Sequence, residues 1–163
     1  VQQQYEYIIV DEYQDTNQIQ NDLTILLAKH HENICVVGDF DQTIYSWRGA
    51  KIENLLEFNQ HFPTTTVQKL ETNYRSTKEI LTSANQLIEH NTQREPKNLI
   101  SDKAGHSKPQ HIVCFNEREE AETIVNKIKS LQKDNQYKLS DFAILYRTNQ
   151  QARAIEETID SKI

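Results

Sequence analysis

The apolar residues of this chain form two alternating patterns. Short runs rich in β-branched and aromatic residues predict strands at residues 7–10, 34–37, 65–70, 111–115 and 142–146. Apolar positions three and four residues apart predict helices at residues 17–30, 51–62 and 150–159, and two more after a capping-box sequence at 76–79 and after Asn116. Strands that alternate with helices are typical of parallel sheets, so the predicted fold class is α/β.

The pattern also predicts where the chain divides. Residues 92–110 are polar and contain two prolines and a glycine, which indicates a loop or an extended connection. Residues 73–76 follow the third predicted strand, and we place the junction between two half-sheets there. The predicted domains are therefore residues 1–75 and 76–163.

Composition narrows the class of protein. The chain has 36% hydrophobic residues and no Met, so we interpret it as an internal piece of a longer, soluble protein. No apolar run approaches the ~20 residues of a membrane span, and no signal peptide pattern is present, so we expect no membrane partner and a cytoplasmic location. The net charge of −6 argues against a stand-alone protein that binds DNA by charge, but not against a local binding groove.

The two cysteines, Cys35 and Cys114, both lie in apolar, strand-like runs. We expect free, buried thiols in a reducing cytosol, because two cysteines make no disulfide framework. A disulfide is possible only if the two strands meet. Neither cysteine has a second ligand at the spacing of a zinc finger.

The first candidate site follows the first predicted strand, where Asp11 and Glu12 come directly after Ile8–Val10. Open α/β sheets bind their ligands at the carboxyl ends of their strands. In phosphoryl-transfer proteins a carboxylate there holds Mg²⁺, and a neighbouring group orients the attacking water. The alternative is a strand that ends in a solvated acidic turn.

The second candidate site is Gly38–Ala50, which follows the second strand. If the two strands are neighbours, its polar residues Asp39, Asp41 and Gln42 lie beside the first acidic pair. Tyr45, Trp47 and Arg48 follow, and stacking of a base on such rings is worth about 1–3 kcal/mol whatever the base. Core packing is the alternative for the aromatic residues, but their position after a polar loop favours a surface role.

In two further segments, a predicted strand is followed by polar residues. In Leu70–Ser76, the pair Tyr74 and Arg75 offers a ring for a purine and a guanidinium for a phosphate, or else a buried tyrosine and a surface salt bridge. In Ala143–Arg153, Asn149 opens a helix whose N-terminus could contact nucleic-acid phosphates, or simply be capped.

These four segments, in this order, resemble the motifs of the UvrD/Rep/PcrA family of superfamily 1 DNA helicases. Residues 11–17, Asp-Glu-Tyr-Gln-Asp-Thr-Asn, resemble the family's Walker B motif. Residues 38–50, 70–77 and 143–151 resemble its third motif, its fourth motif and a motif of its second domain. Thr43 stands where serine is commoner in the family. The likeness covers nearly the whole chain.

The resemblance implies roles at a nucleotide site for ATP and Mg²⁺. Asp11, with Glu12, would hold Mg²⁺, and Glu12 would orient or activate the hydrolytic water. Gln42 would contact the γ-phosphate and report it to the DNA site. Tyr74 would stack on adenine, and Arg75 would reach the γ-phosphate from the domain edge.

The resemblance also implies a DNA site. Tyr45, Trp47 and Arg48 would line the track of a single strand, with Trp47 as the stacking ring. Arg147 and Asn149 would contact the DNA backbone. The chain would then be a segment of an ATP-dependent 3′–5′ DNA helicase or translocase that acts on single-stranded or partially duplex DNA in repair, replication or recombination.

The family's P-loop, Gly-x-x-x-x-Gly-Lys-[Ser/Thr], is not found in this sequence, whose three glycines include no Gly-Lys pair. We therefore expect parts of two RecA-like, P-loop NTPase domains, completed by the rest of the parent chain, and no ATP turnover by this segment alone. Exposed sheet edges lead us to expect self-association of the isolated segment. Two alternatives stay open: a truncated, non-catalytic homologue that binds single-stranded DNA or a partner protein, and a helicase joined to a nuclease.

Overall fold

The computed structural model describes residues 4–92, 96–105, 108–133 and 137–162. The chain divides into two compact units, Val1–Pro109 and Gln110–Ile163. The predicted loop at 92–110 falls partly outside the described residues, at 93–95 and 106–107; its described part contains no helix.

The first unit contains a two-stranded parallel sheet made of β1 (Ile8–Val10) and β2 (Ile34–Val36). Ile8 is paired with Ile34 and Val10 with Val36. Successive strand residues face opposite sides, so Ile8 and Val10 are half-buried while Ile9 between them is 76% exposed. A mixed fold with a parallel sheet confirms the α/β class, but among the described residues this sheet is smaller than predicted.

Helix α1 (Gln18–Ala28) connects the two strands, as predicted. Asn17 begins it with a capping box: its Oδ1 accepts from the backbone N–H of Gln20 at 3.0 Å, and Gln20 Oε1 accepts from the N–H of Asn17 at 2.9 Å. Such reciprocal bonds satisfy amides that have no partner inside the helix.

The helix predicted at 51–62 is divided into α2 (Glu53–Leu56) and α3 (Phe58–His61). Glu57 leaves the helical conformation, with φ −100° and ψ 8°. Phe58 and Phe62 lie in the buried core of this unit with Tyr13, where the rings of Tyr13 and Phe58 meet edge to face at 5.7 Å. The break at Glu57 thus accompanies the packing of Phe58 and Phe62 into this core, where the sequence pattern predicted one continuous helix.

Tyr13 is fully buried, and its hydroxyl donates to Asn21 Oδ1 at 2.7 Å. Burial, and to a smaller extent the charge of Asp22, raises its pKa to about 12. The phenol therefore stays neutral, and it fixes the turn that follows β1 against helix α1.

Helix α4 (Lys78–Ile88) forms as predicted, but the capping box at 76–79 is wrong. Thr77 occupies the cap position without a side-chain capping bond. The reason is that residues 103–105 cover this end of the helix: the Lys103 carbonyl accepts from the N–H of Lys78 at 3.1 Å, and Gly105 lies against Thr77.

Three of the predicted strands, at 65–70, 111–115 and 142–146, are not strands in the structure. A strand needs a hydrogen-bonded neighbour, and the apolar pattern does not tell whether one is present. Their apolar side chains stay largely exposed: Leu70 is 82%, Phe115 94% and Leu145 94% exposed. Just after the first of these segments, Thr72 forms an isolated parallel β-bridge with Ile100.

The second unit contains two packed helices, α5 (Glu117–Lys133) and α6 (Asn149–Lys162). The predicted cap is confirmed, since Asn116 Oδ1 accepts from the N–H of Glu119 at 2.9 Å. The buried residues of the two helices are Ala121, Val125, Ile128, Ala152 and Ile155.

Cys35 and Cys114 are free thiols, but the prediction that both are buried is wrong. Cys35 is exposed because it alternates with Ile34 and Val36, whose side chains lie on the covered face of the sheet. Across the described ranges, no helix has the length and apolar character that would let it span a bilayer.

Candidate functional site

The carboxyl ends of β1 and β2 lie side by side, as the sequence predicted for neighbouring strands. The backbone N–H of Val37 donates to the Val10 carbonyl at 2.8 Å, and the N–H of Tyr13 donates to the Val37 carbonyl at 2.9 Å. The acidic residues after β1 and the polar loop after β2 therefore leave the sheet at the same edge. We call Asp11, Glu12, Gln14, Asp39 and Gln42 the strand-tip cluster.

The two carboxylates after β1 are exposed, and their backbone has an unusual shape. Glu12 lies in the left-handed region, with φ 51° and ψ 42°. Asp11 Oδ1 accepts from the N–H of Glu12 at 2.9 Å. Few residues other than glycine adopt this conformation, and those that do are concentrated at functional sites.

Gln14 connects the two strand ends, and the sequence pattern predicted no role for it. It is 1% exposed. Its Nε2 donates to Glu12 Oε2 at 2.8 Å, and its Oε1 accepts from the N–H of Asp39 at 3.0 Å. The short turn of Tyr13–Asp15, which begins directly after Glu12, places Gln14 between the two strand ends, and no local sequence pattern indicates this contact.

Asp39 organises the loop after β2. Its Oδ1 accepts from the N–H of Asp41 at 2.9 Å, and its Oδ2 accepts from Gln42 Nε2 at 2.7 Å. Lys97 forms an ion pair with Asp39 and lies 3.7 Å from Asp41 Oδ2. Burial alone would raise the pKa of Asp39, but the bonds from Lys97, the Asp41 amide and Gln42 together lower it below the usual value.

Lys97 is the second residue at this site that sequence reasoning missed. It lies in the polar segment predicted as a loop, 58 residues from Asp39. Nothing in the local pattern of that segment indicates an ion pair with a distant acidic loop.

The predicted DNA-contacting residues Tyr45, Trp47 and Arg48 lie together on the surface. We call Tyr45–Arg48 the aromatic turn. Its rings are 6.2 Å apart, and the Arg48 guanidinium lies 4.5 Å from the Trp47 ring and 5.1 Å from the Tyr45 ring. Trp47 is 72% exposed, so core packing does not explain its position. Gly49, with φ 84°, ends the turn in a conformation that suits glycine.

Tyr74 and Arg75 lie on a separate turn of the same unit. Asn73 Oδ1 accepts from the N–H groups of Arg75 and Ser76, at 3.0 and 2.8 Å. Tyr74 is 85% exposed. Lys103 Nζ also donates to the Arg75 carbonyl, at 3.4 Å, so Asn73 and Lys103 together hold this turn.

Arg147 and Asn149 belong to the second unit, at the start of α6. Both are exposed. Gln151 Oε1 accepts from the N–H groups of Arg147 and Thr148, at 2.9 and 3.0 Å, and so caps the helix. Capping of the helix, one of the two interpretations of this segment, is therefore present here.

The strand-tip cluster suits a metal ion, such as Mg²⁺, that binds together with the phosphates of a substrate. Within the described residues, no group of three or more His, Cys, Asp or Glu side chains could hold a metal ion. Mg²⁺ usually takes only one or two protein carboxylates and completes its shell with water and substrate phosphates. The exposed pair Asp11 and Glu12 fits this arrangement.

Comparison with known proteins assigns relatives to both parts of the chain. Residues 1–63 match the family model described as the UvrD/REP helicase N-terminal domain, and residues 68–162 match that of the UvrD-like helicase C-terminal domain. A protein named ATP-dependent DNA helicase PcrA from Staphylococcus epidermidis is 50% identical over 96% of this chain, and its namesake from Bacillus subtilis is 49% identical over 97%. The chain spans 21% of the length of each of these relatives.

Proposed function

Because this chain belongs to the UvrD/Rep family of helicases, we propose that it is a segment of an ATP-dependent motor that moves 3′–5′ along single-stranded DNA. The relatives are named ATP-dependent DNA helicase, and this name supports both ATP as the nucleotide and DNA as the substrate. One observation carries the proposal: only Thr43 and Ile44 separate Gln42, in the strand-tip cluster, from the aromatic turn.

At the nucleotide, bound Mg-ATP supplies the γ-phosphate and the metal that neutralises its charge. Asp11 would hold the metal, and Glu12 would orient the hydrolytic water. Gln42, a neutral amide, contacts the γ-phosphate without repelling it. Phosphoryl transfer needs little more than such positioning and electrostatic support. Asp11, Glu12 and Gln42 follow strands that end at the same edge of the sheet, which supports this assignment.

Two residues on the separate turn complete the proposed nucleotide site. Tyr74 stacks on the adenine ring, and Arg75 reaches the γ-phosphate when the two RecA-like domains close. Their exposure supports this role, because a ring and a guanidinium that meet a ligand must be reachable. We propose that the part belonging to the first RecA-like domain ends at residue 75 and that the part belonging to the second begins at residue 76.

At the DNA, Trp47 stacks on a base, while Tyr45 and Arg48 line the strand. Base–aromatic stacking is worth about 1–3 kcal/mol per base and does not depend on sequence. Arg48 adds a cation that is already placed over both rings. Arg147 and Asn149 are proposed contacts to the DNA backbone.

The coupling between the two sites follows from their short connection. Movement of Gln42 with the state of the γ-phosphate would shift the turn that holds Trp47. Closure of the RecA-like domains on Mg-ATP, followed by opening after hydrolysis, would then carry bases past this ring. We place this activity in DNA repair, replication or recombination.

The test is ATP hydrolysis by the product of the complete reading frame, measured with and without single-stranded DNA. We expect strong stimulation by DNA. Glu12→Gln should lower turnover by roughly 10²–10⁴-fold, the usual contribution of a positioned acid–base group. The 163-residue chain alone, which has no P-loop sequence, is the control and should show no turnover.

No DNA-stimulated turnover by the complete product would contradict the proposal. It would leave a binding module that retains the shape of the motor without its chemistry.

A further inference from the structure

We propose that Gln14 is a positioning residue that holds the Glu12 carboxylate in place for the reaction. The inference rests on the proposed function, in which Glu12 orients the hydrolytic water. It concerns a residue that does not itself meet the nucleotide.

The Gln14 amide is buried and hydrogen-bonded at both ends. Only 1% of this residue is exposed, and a buried amide is tolerated only when its polar atoms have partners. Both ends are used, at 2.8 Å to Glu12 and 3.0 Å to the N–H of Asp39. The orientation of the amide is fixed by chemistry, since a carboxylate only accepts and a backbone N–H only donates.

Gly38 leaves the space that the Gln14 amide occupies. A Cβ at Gly38 would lie 2.8 Å from Gln14 Oε1 and 3.0 Å from Leu55 Cδ2. The absence of a side chain at Gly38 therefore lets the Gln14 side chain reach the second strand. The left-handed backbone of Glu12 adds to this, because it turns the carboxylate back onto the glutamine two residues later.

The Gln14 amide also connects Glu12 to the loop after β2. Asp39, whose N–H bonds to Gln14, holds Gln42 through its carboxylate at 2.7 Å. Gln14 thus ties the residue that would orient water to the loop that would sense the γ-phosphate. The Glu12 carboxylate and the Asp39 backbone would keep a fixed spacing while Gln42 moves with the state of the nucleotide.

The test compares the wild type with Gln14→Met and Gln14→Glu in the product of the complete reading frame. Methionine keeps the volume and removes both hydrogen bonds. We expect kcat for DNA-stimulated ATP hydrolysis to fall by about 10–100-fold, as when an outer partner of a catalytic group is lost. The KM for ATP and the affinity for a non-hydrolysable ATP analogue should stay within about twofold, because Gln14 does not contact the nucleotide.

Hydrogen exchange of the Asp39 amide gives a readout that does not depend on activity. Gln14→Met should lose protection at this amide, whereas Gln14→Glu keeps an acceptor for it and should retain protection. The kcat of Gln14→Glu should nevertheless fall, because a second carboxylate would face Glu12.

Tyr13→Phe is the matched control, since it removes a buried hydrogen bond from the same turn without touching Glu12. Its thermal stability should fall while its kcat stays near that of the wild type. Equal losses of kcat in Tyr13→Phe and Gln14→Met, or normal kcat in Gln14→Met, would overturn this inference alone. Absence of turnover in the wild type would overturn the proposed function, and this inference with it.

Discussion

The strand-tip cluster and the aromatic turn are neighbours in sequence, yet the structure holds them in opposite ways. Gln14, at the centre of the strand-tip cluster, is buried and bonded at both ends. Trp47, at the centre of the aromatic turn, is 72% exposed and is contacted by the long, flexible side chain of Arg48. A fixed cluster suits chemistry that needs exact spacing, and an open turn suits a ligand that must slide past.

This contrast predicts that substitutions in the two regions fail differently. Those in the strand-tip cluster should lower the rate of ATP turnover whatever the DNA concentration. Those in the aromatic turn should weaken DNA binding and leave the chemistry intact. Three substitutions test the contrast, in addition to those at Glu12 and Gln14.

The largest effect is expected for Trp47→Ala. Loss of a stacked base is worth about 1–3 kcal/mol, so affinity for single-stranded DNA should fall by roughly 5–150-fold. The measurement is fluorescence anisotropy with a labelled oligonucleotide. Trp47→Phe, which keeps a ring, is the control and should lose less. Unchanged affinity in Trp47→Ala would remove this ring from the DNA site.

An effect of similar free energy, but on folding stability instead of DNA binding, is expected for Gly38→Ala. The added Cβ would press on Gln14 and Leu55, and overpacking of this kind costs about 1–3 kcal/mol of folding stability. Chemical denaturation measures that loss, and ATP turnover should fall with it because Gln14 is displaced.

Gly49→Ala is the matched control for Gly38→Ala. Its left-handed backbone, at φ 84°, makes alanine cost about 1–2 kcal/mol, but among the described residues the new Cβ meets only Asn17, at 3.9 Å. Turnover at saturating DNA should therefore survive in Gly49→Ala. If both alanine variants lost turnover equally, the special role of the contact at Gly38 would be refuted.

The smallest effect is expected for Lys97→Met, which removes the ion pair with Asp39. The pKa of Asp39 is lowered in the folded state, so the stability it contributes is present above its unfolded pKa of about 3.9 and is lost as the pH falls through the folded pKa. We expect a loss of up to about 1 kcal/mol at neutral pH. The melting temperatures of variant and wild type should converge at acidic pH.

Lys51→Met is the control for this pH dependence, because Lys51 donates to the uncharged Gln18 at 3.2 Å. The difference in melting temperature between Lys51→Met and the wild type should not change as Asp39 is protonated. A Lys97→Met difference that stays constant from neutral to acidic pH would argue against the ion pair as its source.

Local pattern predicted the elements that local residues determine. The strands at 7–10 and 34–37 and the helix that begins at Asn17 were predicted correctly, because β-branched runs and capping residues act over a few residues. The parallel neighbourhood of the two strands followed from the helix between them. Strand position and connection together therefore sufficed to predict the sheet edge on which Asp11 and Glu12 lie.

What the pattern missed depends on distant residues. The runs at 111–115 and 142–146 have the composition of strands, but a strand also needs a partner that no local window records. Gln14 and Lys97 contact Asp39 from 25 and 58 residues away. The failed capping box at 76–79 has the same cause, since residues 103–105 cover that helix end.

The most direct test of the division between the two regions is ATP turnover as a function of single-stranded DNA concentration, with Glu12→Gln and Trp47→Ala compared in the product of the complete reading frame. We expect Trp47→Ala to reach nearly the wild-type plateau at a higher DNA concentration, and Glu12→Gln to stay low at every concentration. A Trp47→Ala plateau as low as that of Glu12→Gln would contradict this division.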